Sequence, residues 1–337
     1  MRLSHEVDAS NLDATGPAEG WVRAAADSLV GNGACVLRRP VPIAAELLEA
    51  CRCDARPRLD RLLRFASEAT ACEDARMLCK DNDGGVNGTG DGSGNGGKAL
   101  RFQELYSRAP WECRFDVTVP HATMRDVTMP SDVTMPSHYS GVTVPRHCGP
   151  PGTSDGEATG EVKAGASSVA PWQALLAAID PLVRPVLAAS GLFGGADDIG
   201  DELCVEAVGY VLSMPGAPGQ VWHPDSERKV GLVNAFVPLV PLSDANGPTA
   251  LALGSHQSPR PCCPCVVRPL LAVGEVLLFD WRTWHRGCAN RSSADRPVAY
   301  VTYARRGVDG AASYKRGLPS LEAPVGAWDV VGGLETS

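Results

Sequence analysis

Val205-Glu206-Ala207-Val208-Gly209-Tyr210-Val211-Leu212-Ser213 is a short run of apolar residues broken at intervals by small or polar ones. That character belongs to a strand with one face buried, not to a helix. Four further runs of the same kind follow at 232–242, 249–253, 276–281 and 298–304, with Gly, Pro, Asn and Asp gathered between them. Five such runs within about a hundred residues predict a β-sandwich or barrel. Helices are left to the N-terminal half.

There the apolar spacing is helical. Residues 21–30 form one amphipathic stretch, and 34–37 is a short apolar strand after Gly31-Asn32-Gly33. Helical spacing returns at 44–51, and Leu59, Leu62, Leu63 and Phe65 predict another helix. Trp172, Leu175, Leu176, Ile179, Leu182, Val183, Val186 and Leu187 mark a longer one, with Asp180-Pro181 as a place where it breaks and restarts. Between these lie two low-complexity segments. Eight of the sixteen residues 82–97 are Gly, too little apolar surface to offset the entropy of ordering, so a flexible loop is expected. The motif of 116–120 recurs at 126–130, 132–136 and 141–145, each copy ending in Pro. Such short periods build no solenoid. The first copy reads as a strand and the rest as part of a flexible insertion over 121–168.

Composition removes several function classes. With 31 basic against 39 acidic residues, a net charge of −8 and no Lys/Arg-dense segment, the chain lacks the basic face of a nucleic-acid binder. No window of about 18 apolar residues is apparent, so no membrane span is expected. Residues 1–16 are polar and acidic, without the apolar centre of a secretory signal or the Arg-rich helix of a transit peptide. The twelve cysteines then read as reduced thiols in a cytoplasmic protein. Cys51/Cys53 and Cys262/Cys263/Cys265 lack zinc-knuckle spacing.

Chemistry points to the histidines. His223-Pro224-Asp225 follows the first strand, and its spacing puts imidazole and carboxylate on the same side of an extended segment. His285 follows the apolar strand 276–281. Two imidazoles and a carboxylate on one face leave half an octahedron open, the donor set of non-haem Fe(II) oxygenases, although zinc and manganese accept the same donors. Arg296 lies eleven residues beyond His285, across a segment that reads as a connection between antiparallel strands. There its guanidinium would clasp a carboxylate in bidentate fashion, unless it pairs with Asp295 or Glu275 at the surface. Arg286 and Arg291 fall in the connection itself, a poor place for a preorganised clasp.

Gln220-Val221-Trp222-His223-Pro224-Asp225, Asn246-Gly247-Pro248-Thr249, Gly254-Ser255-His256, the run from Gly274 to Asp280, His285-Arg286-Gly287 and Asn290-Arg291-Ser292 together resemble the phytanoyl-CoA dioxygenase family of Fe(II)/2-oxoglutarate-dependent oxygenases. The resemblance is specific over 206–305 and looser over 20–120. It implies an α+β, mainly β protein with a double-stranded β-helix (jelly-roll, cupin-like) core and N-terminal helices packed on it. The expected layout is a flexible 1–19, one domain over 20–306 with its core at 201–306, and a tail over 307–337.

Residue by residue, the resemblance implies His223, Asp225 and His285 as iron ligands and Arg296 on the distal carboxylate of 2-oxoglutarate. Gln220 and Trp222 would line the cosubstrate or substrate pocket. Gly287 stands where some relatives have a serine that helps hold the cosubstrate, leaving Thr249 or Thr302 to supply that hydroxyl. His256 reads as structural. The implied reaction takes Fe(II), 2-oxoglutarate and O2, hydroxylates an unactivated C–H bond of a small organic substrate, and releases succinate and CO2. An intact Asp225 leaves no place for a chloride ligand and so argues against halogenation. The rival readings are a non-catalytic jelly roll that senses metal or 2-oxoglutarate, and a cupin-like isomerase or hydrolase with another metal.

Overall fold

The structure is a computed structural model that describes residues 6–8, 19–38, 43–71, 100–107, 113–119, 170–193, 203–226, 231–257 and 265–306, with 308, 318 and 321. The expected flexible segments at 82–97 and 121–168 lie outside the described residues. In chain order the elements are β1 (Glu6–Asp8), α1 (Glu19–Asn32), β2 (Ala34–Arg38), α2 (Ala45–Ala71), β3 (Leu105–Ser107), β4 (Arg114–Thr118) and α3 (Ala170–Ser190). Seven strands follow: β5 (Leu203–Ser213), β6 (Leu232–Pro238), β7 (Thr249–Leu253), β8 (Cys265–Val267), β9 (Val276–Asp280), β10 (His285–Gly287) and β11 (Arg296–Arg305).

An eight-stranded sheet runs β1-β2-β9-β6-β11-β5-β4-β3, and a smaller sheet runs β10-β7-β8. A single antiparallel bridge from His223 to His285 adds one more step to the small sheet. From β5 onward the chain therefore visits the two sheets in turn: β5 large, 223 small, β6 large, β7 and β8 small, β9 large, β10 small, β11 large. That alternation is the jelly roll that the resemblance implies, and one form of the β-sandwich or barrel that the runs predict.

The period of two along the strands sorts their side chains into layers. Ala299, Val301 and Tyr303 of β11 share a core with the helices, while Val298 packs with Leu251, Leu253, Val267 and Phe279 between the sheets. Leu48, Cys51, Ala55, Leu59, Leu62 and Ala66 continue one buried stripe through Pro57. The two helices expected there are thus one. Likewise α3 runs through Pro181 and Pro185 and does not break at Asp180. In both, burial of a continuous apolar face outweighs the backbone hydrogen bond that an internal proline removes.

α3 also corrects the expectation that no segment is apolar enough to span a membrane, because its length and composition pass that test. Here eight of its side chains, Trp172 to Leu187, are buried in the protein. Trp172 stacks on Tyr210 with ring centroids 4.8 Å apart, and its Nε1 donates to Asp54 at 2.8 Å. Trp172→Ala should cost about 3–5 kcal/mol of stability, the usual range for emptying a buried aromatic site. Denaturant unfolding would measure it, and a loss below 1 kcal/mol would contradict this packing.

Candidate metal centre

His223 and His285 face each other across the small sheet's first bridge. Each backbone N–H donates to the other's carbonyl, at 3.0 and 2.9 Å. Residues paired in this way project their side chains to the same face, and the two rings lie 4.6 Å apart. Asp225, two residues after His223, joins them; its Oδ1 lies 3.8 Å from His285 Nε2. One donor atom from each of the three lies within 4.8 Å of the other two, a grouping fit to hold a metal ion.

The surrounding hydrogen bonds aim these donors. His223 Nδ1 lies 2.9 Å from the Val221 carbonyl and His285 Nδ1 2.9 Å from that of Thr283. A carbonyl only accepts, so Nδ1 carries the proton in both rings and each Nε2 presents its lone pair. Asn234 donates to Asp225 Oδ2 at 2.9 Å, and Thr302 donates to Asn234 Oδ1 at 2.7 Å. This relay leaves Asp225 Oδ1 turned toward His285. Neither Asn234 nor its role was read from the sequence; the signal was a polar residue inside the apolar run 232–242.

The three residues line a cavity of about 490 Å³ between the sheets, together with Gln220, Thr249 and Arg296. Gln220 Oε1 accepts from the Gly287 backbone N–H at 2.9 Å. Trp222 departs from the expectation. It is absent from the lining, and the Arg286 guanidinium sits 5.0 Å from its ring centroid instead. Alternation accounts for Arg286, which neighbours the inward-pointing His285 in β10. Thr302 lines the cavity but commits its proton to Asn234, so of the two threonines Thr249 is the one whose hydroxyl has no hydrogen bond among the described residues. His256 contacts the Val30 carbonyl at 2.8 Å, a structural position as expected.

Arg296 opens β11, but its neighbours differ from the surface alternative. Asp295 pairs with Arg56 at 2.9 Å and Glu275 with Arg38 at 2.8 Å. Arg296 is 3% exposed, donates from Nη2 to Ser213 Oγ at 2.7 Å, and has a buried Nε without an acceptor among the described residues. Burial, with the Arg114 guanidinium nearby, pushes its pKa down to about 9. The segment that reaches it also differs from the hairpin expected, because β10 and β11 belong to different sheets. A buried cation with an unsatisfied donor on a cavity wall is a site for an anion.

Residues 178–298 match the family described as Phytanoyl-CoA dioxygenase. The chain is 35% identical over a 95-residue alignment to Dioxygenase aneA of Aspergillus aculeatus, which takes in 23% of this chain and spans about a third (32%) of that relative's length. Among solved structures, it is similar to AviO1 from Streptomyces viridochromogenes Tue57, at 15% identity and TM-score 0.43, covering 85% of this chain and 96% of that one. It is also similar to the epimerase SnoN in complex with Fe3+, alpha ketoglutarate and nogalamycin RO, at 13% identity and TM-score 0.44, covering 84% and 83%. Over residues 178–298, which hold His223, Asp225, His285 and Arg296, the chain is thus similar in sequence to the phytanoyl-CoA dioxygenases, as its motifs imply.

Proposed function

We propose that the protein is an Fe(II)- and 2-oxoglutarate-dependent dioxygenase that hydroxylates a C–H bond of a small organic molecule. The observation that carries this reading is the pairing, in one cavity, of a His-Asp-His donor set with a buried and incompletely paired arginine. The residues fit the ion: two imidazoles, each with Nδ1 on a backbone carbonyl, and one carboxylate suit Fe(II), and together they leave positions for small-molecule ligands. When bound, the iron supplies the oxidation itself, coupling decarboxylation of 2-oxoglutarate to succinate with insertion of one oxygen atom from O2 into the substrate.

The chain's own residues do the rest. His223, Asp225 and His285 hold the ion, each kept in one orientation by the Val221 carbonyl, Asn234 or the Thr283 carbonyl. Arg296 binds the distal carboxylate of the cosubstrate, and Thr249 and Gln220 line the cavity beside it. No protein acid or base is needed. Because Asp225 occupies the position a halide would require, hydroxylation is favoured over halogenation. Tyr106, Phe236, Trp281 and Tyr300 also line the cavity, with the buried Asp116, which accepts from the Tyr300 hydroxyl at 2.8 Å. Such a lining suits an organic substrate that carries a hydrogen-bond donor.

The test is 2-oxoglutarate turnover. Fe(II)-loaded protein in air should form succinate and CO2 from 2-oxoglutarate, accelerated by substrate. Tight binding of both without decarboxylation, across a broad panel of candidate substrates, would instead favour the sensor reading. Asn234→Ala should weaken Fe(II) or Co(II) affinity by roughly 10- to 100-fold, the usual effect of removing a group that orients a metal ligand. Calorimetric titration would measure this, and unchanged affinity would contradict the orienting role.

A further inference from the structure

Arg114, on β4, is the second buried guanidinium beside the proposed cosubstrate subsite, and the proposed function leaves it without a role. It is 1% exposed and stands next to Ser213 in register, with Arg296 on Ser213's other side. Its Nε donates to Ser213 Oγ at 2.8 Å; Nη1 and Nη2 cross to the small sheet and donate to the carbonyls of Gly287 and Cys288, at 3.3 and 2.9 Å. Ser213 Oγ therefore accepts from two guanidinium groups, one from each flanking strand. A hydroxyl has two acceptor lone pairs and one proton. With both lone pairs engaged, Ser213 Oγ is fixed between the two arginines. Ser213 is fully buried and absent from the cavity's lining, which Arg296 reaches, so the serine acts on the cavity through the guanidinium it holds.

The same arrangement explains Gly287. A Cβ there would come within 2.8 Å of Gln220 Oε1 and 3.0 Å of Arg114 Nη1. The Arg114 fork and the Gln220 amide thus occupy the space that a side chain at 287 would need. We propose that Arg114 is a positioning residue of the anion subsite: it holds Ser213 Oγ where that oxygen fixes Arg296 Nη2, so that the rest of the Arg296 guanidinium is aimed at the distal carboxylate. This makes the subsite select a 2-oxo acid with a charged tail over one with a neutral tail. The inference rests on reading this cavity as the 2-oxoglutarate site.

The probes are 2-oxoglutarate and 2-oxopentanoate, which share a chain length and a 2-oxo acid head and differ in the distal carboxylate. Binding of each to the Ni(II)-loaded full chain is measured by calorimetry, without turnover. The native protein should prefer 2-oxoglutarate strongly. Arg114→Met and Ser213→Ala should each cut that preference roughly 10- to 100-fold, the loss expected when a charge-assisted hydrogen bond goes, and leave 2-oxopentanoate affinity nearly unchanged. Arg114→Lys, which keeps the charge and loses the fork, should fall between. Gly287→Ser alone should reduce the preference by wedging against Arg114, and should reduce it less in the Arg114→Met background. Native preference retained in Arg114→Met, or in Gly287→Ser should Arg114→Met fail to fold, would overturn the inference. If native protein does not discriminate between the two acids, the 2-oxoglutarate reading itself fails; if only Arg296 variants lose discrimination, that reading survives and the role of Arg114 does not.

Discussion

Asp225→Ala should abolish 2-oxoglutarate turnover while leaving a folded protein. Asp225 supplies the only carboxylate in the His-Asp-His group, and the two imidazoles alone offer a divalent ion no anionic donor. Groups that merely orient a metal ligand already account for roughly 10- to 100-fold of affinity or activity, so loss of the ligand itself should exceed the upper end of that range. The structural penalty is small by comparison. Asp225 is partly exposed, and its removal leaves Asn234 Nδ2 without its acceptor, worth about 1–3 kcal/mol. A melting temperature lowered by a few degrees, Fe(II) affinity strongly weakened and succinate formation at background is the expected pattern. Full activity in this variant would remove Asp225 from the site.

Arg296→Glu should raise the KM for 2-oxoglutarate by at least about 100-fold and change Fe(II) affinity far less. Breaking one partner of a buried, hydrogen-bonded charge pair costs about 2–5 kcal/mol, and a tenfold effect corresponds to about 1.4 kcal/mol. The new carboxylate would also stand beside Arg114 and Ser213, occupying the subsite that the cosubstrate needs. A cupin-like enzyme without a dicarboxylate cosubstrate would show no such separation between KM and metal affinity.

The same residue sets a pH dependence. Burial and the Arg114 charge push the Arg296 pKa down to about 9. Its folded value lies below the unfolded one, so above pH 9 the ligand-free native state holds fewer protons than the unfolded chain and gains stability as pH rises. The dicarboxylate binds the charged form. Its affinity should therefore be flat from pH 7 to near 9 and fall by up to tenfold per unit beyond. Affinity unchanged to pH 10.5 would show that Arg296 keeps its proton or does not bind the anion.

The strands are legible as short apolar runs bounded by Gly, Pro, Asn and Asp, and β7, β9 and β11 are apolar over most of their length because both of their faces are buried. His223-Pro224-Asp225 is legible from spacing alone, which puts both side chains on one face of an extended segment. What joins His285 to them is a pairing between segments 62 residues apart, which no local pattern encodes. Helix continuity through Pro57 and Pro181 was hidden because a proline signals a break locally, while the burial that overrides it is tertiary. Trp222 stands outside the cavity's lining while Gln220, two residues earlier, is part of it, and no local spacing separates the two. Arg114 and Ser213 gave no signal, since their roles come from three strands brought side by side by long connections.

The central claim is that His223, Asp225 and His285 share one divalent ion beside a carboxylate-binding Arg296. Anaerobic titration of the full chain with Fe(II) and 2-oxoglutarate tests it most directly, read by the weak visible charge-transfer absorption that both together produce. The expected result is a band that saturates at one Fe(II) per chain, requires 2-oxoglutarate, and is lost in His285→Ala. No band, or one that persists unchanged in His285→Ala, would contradict it.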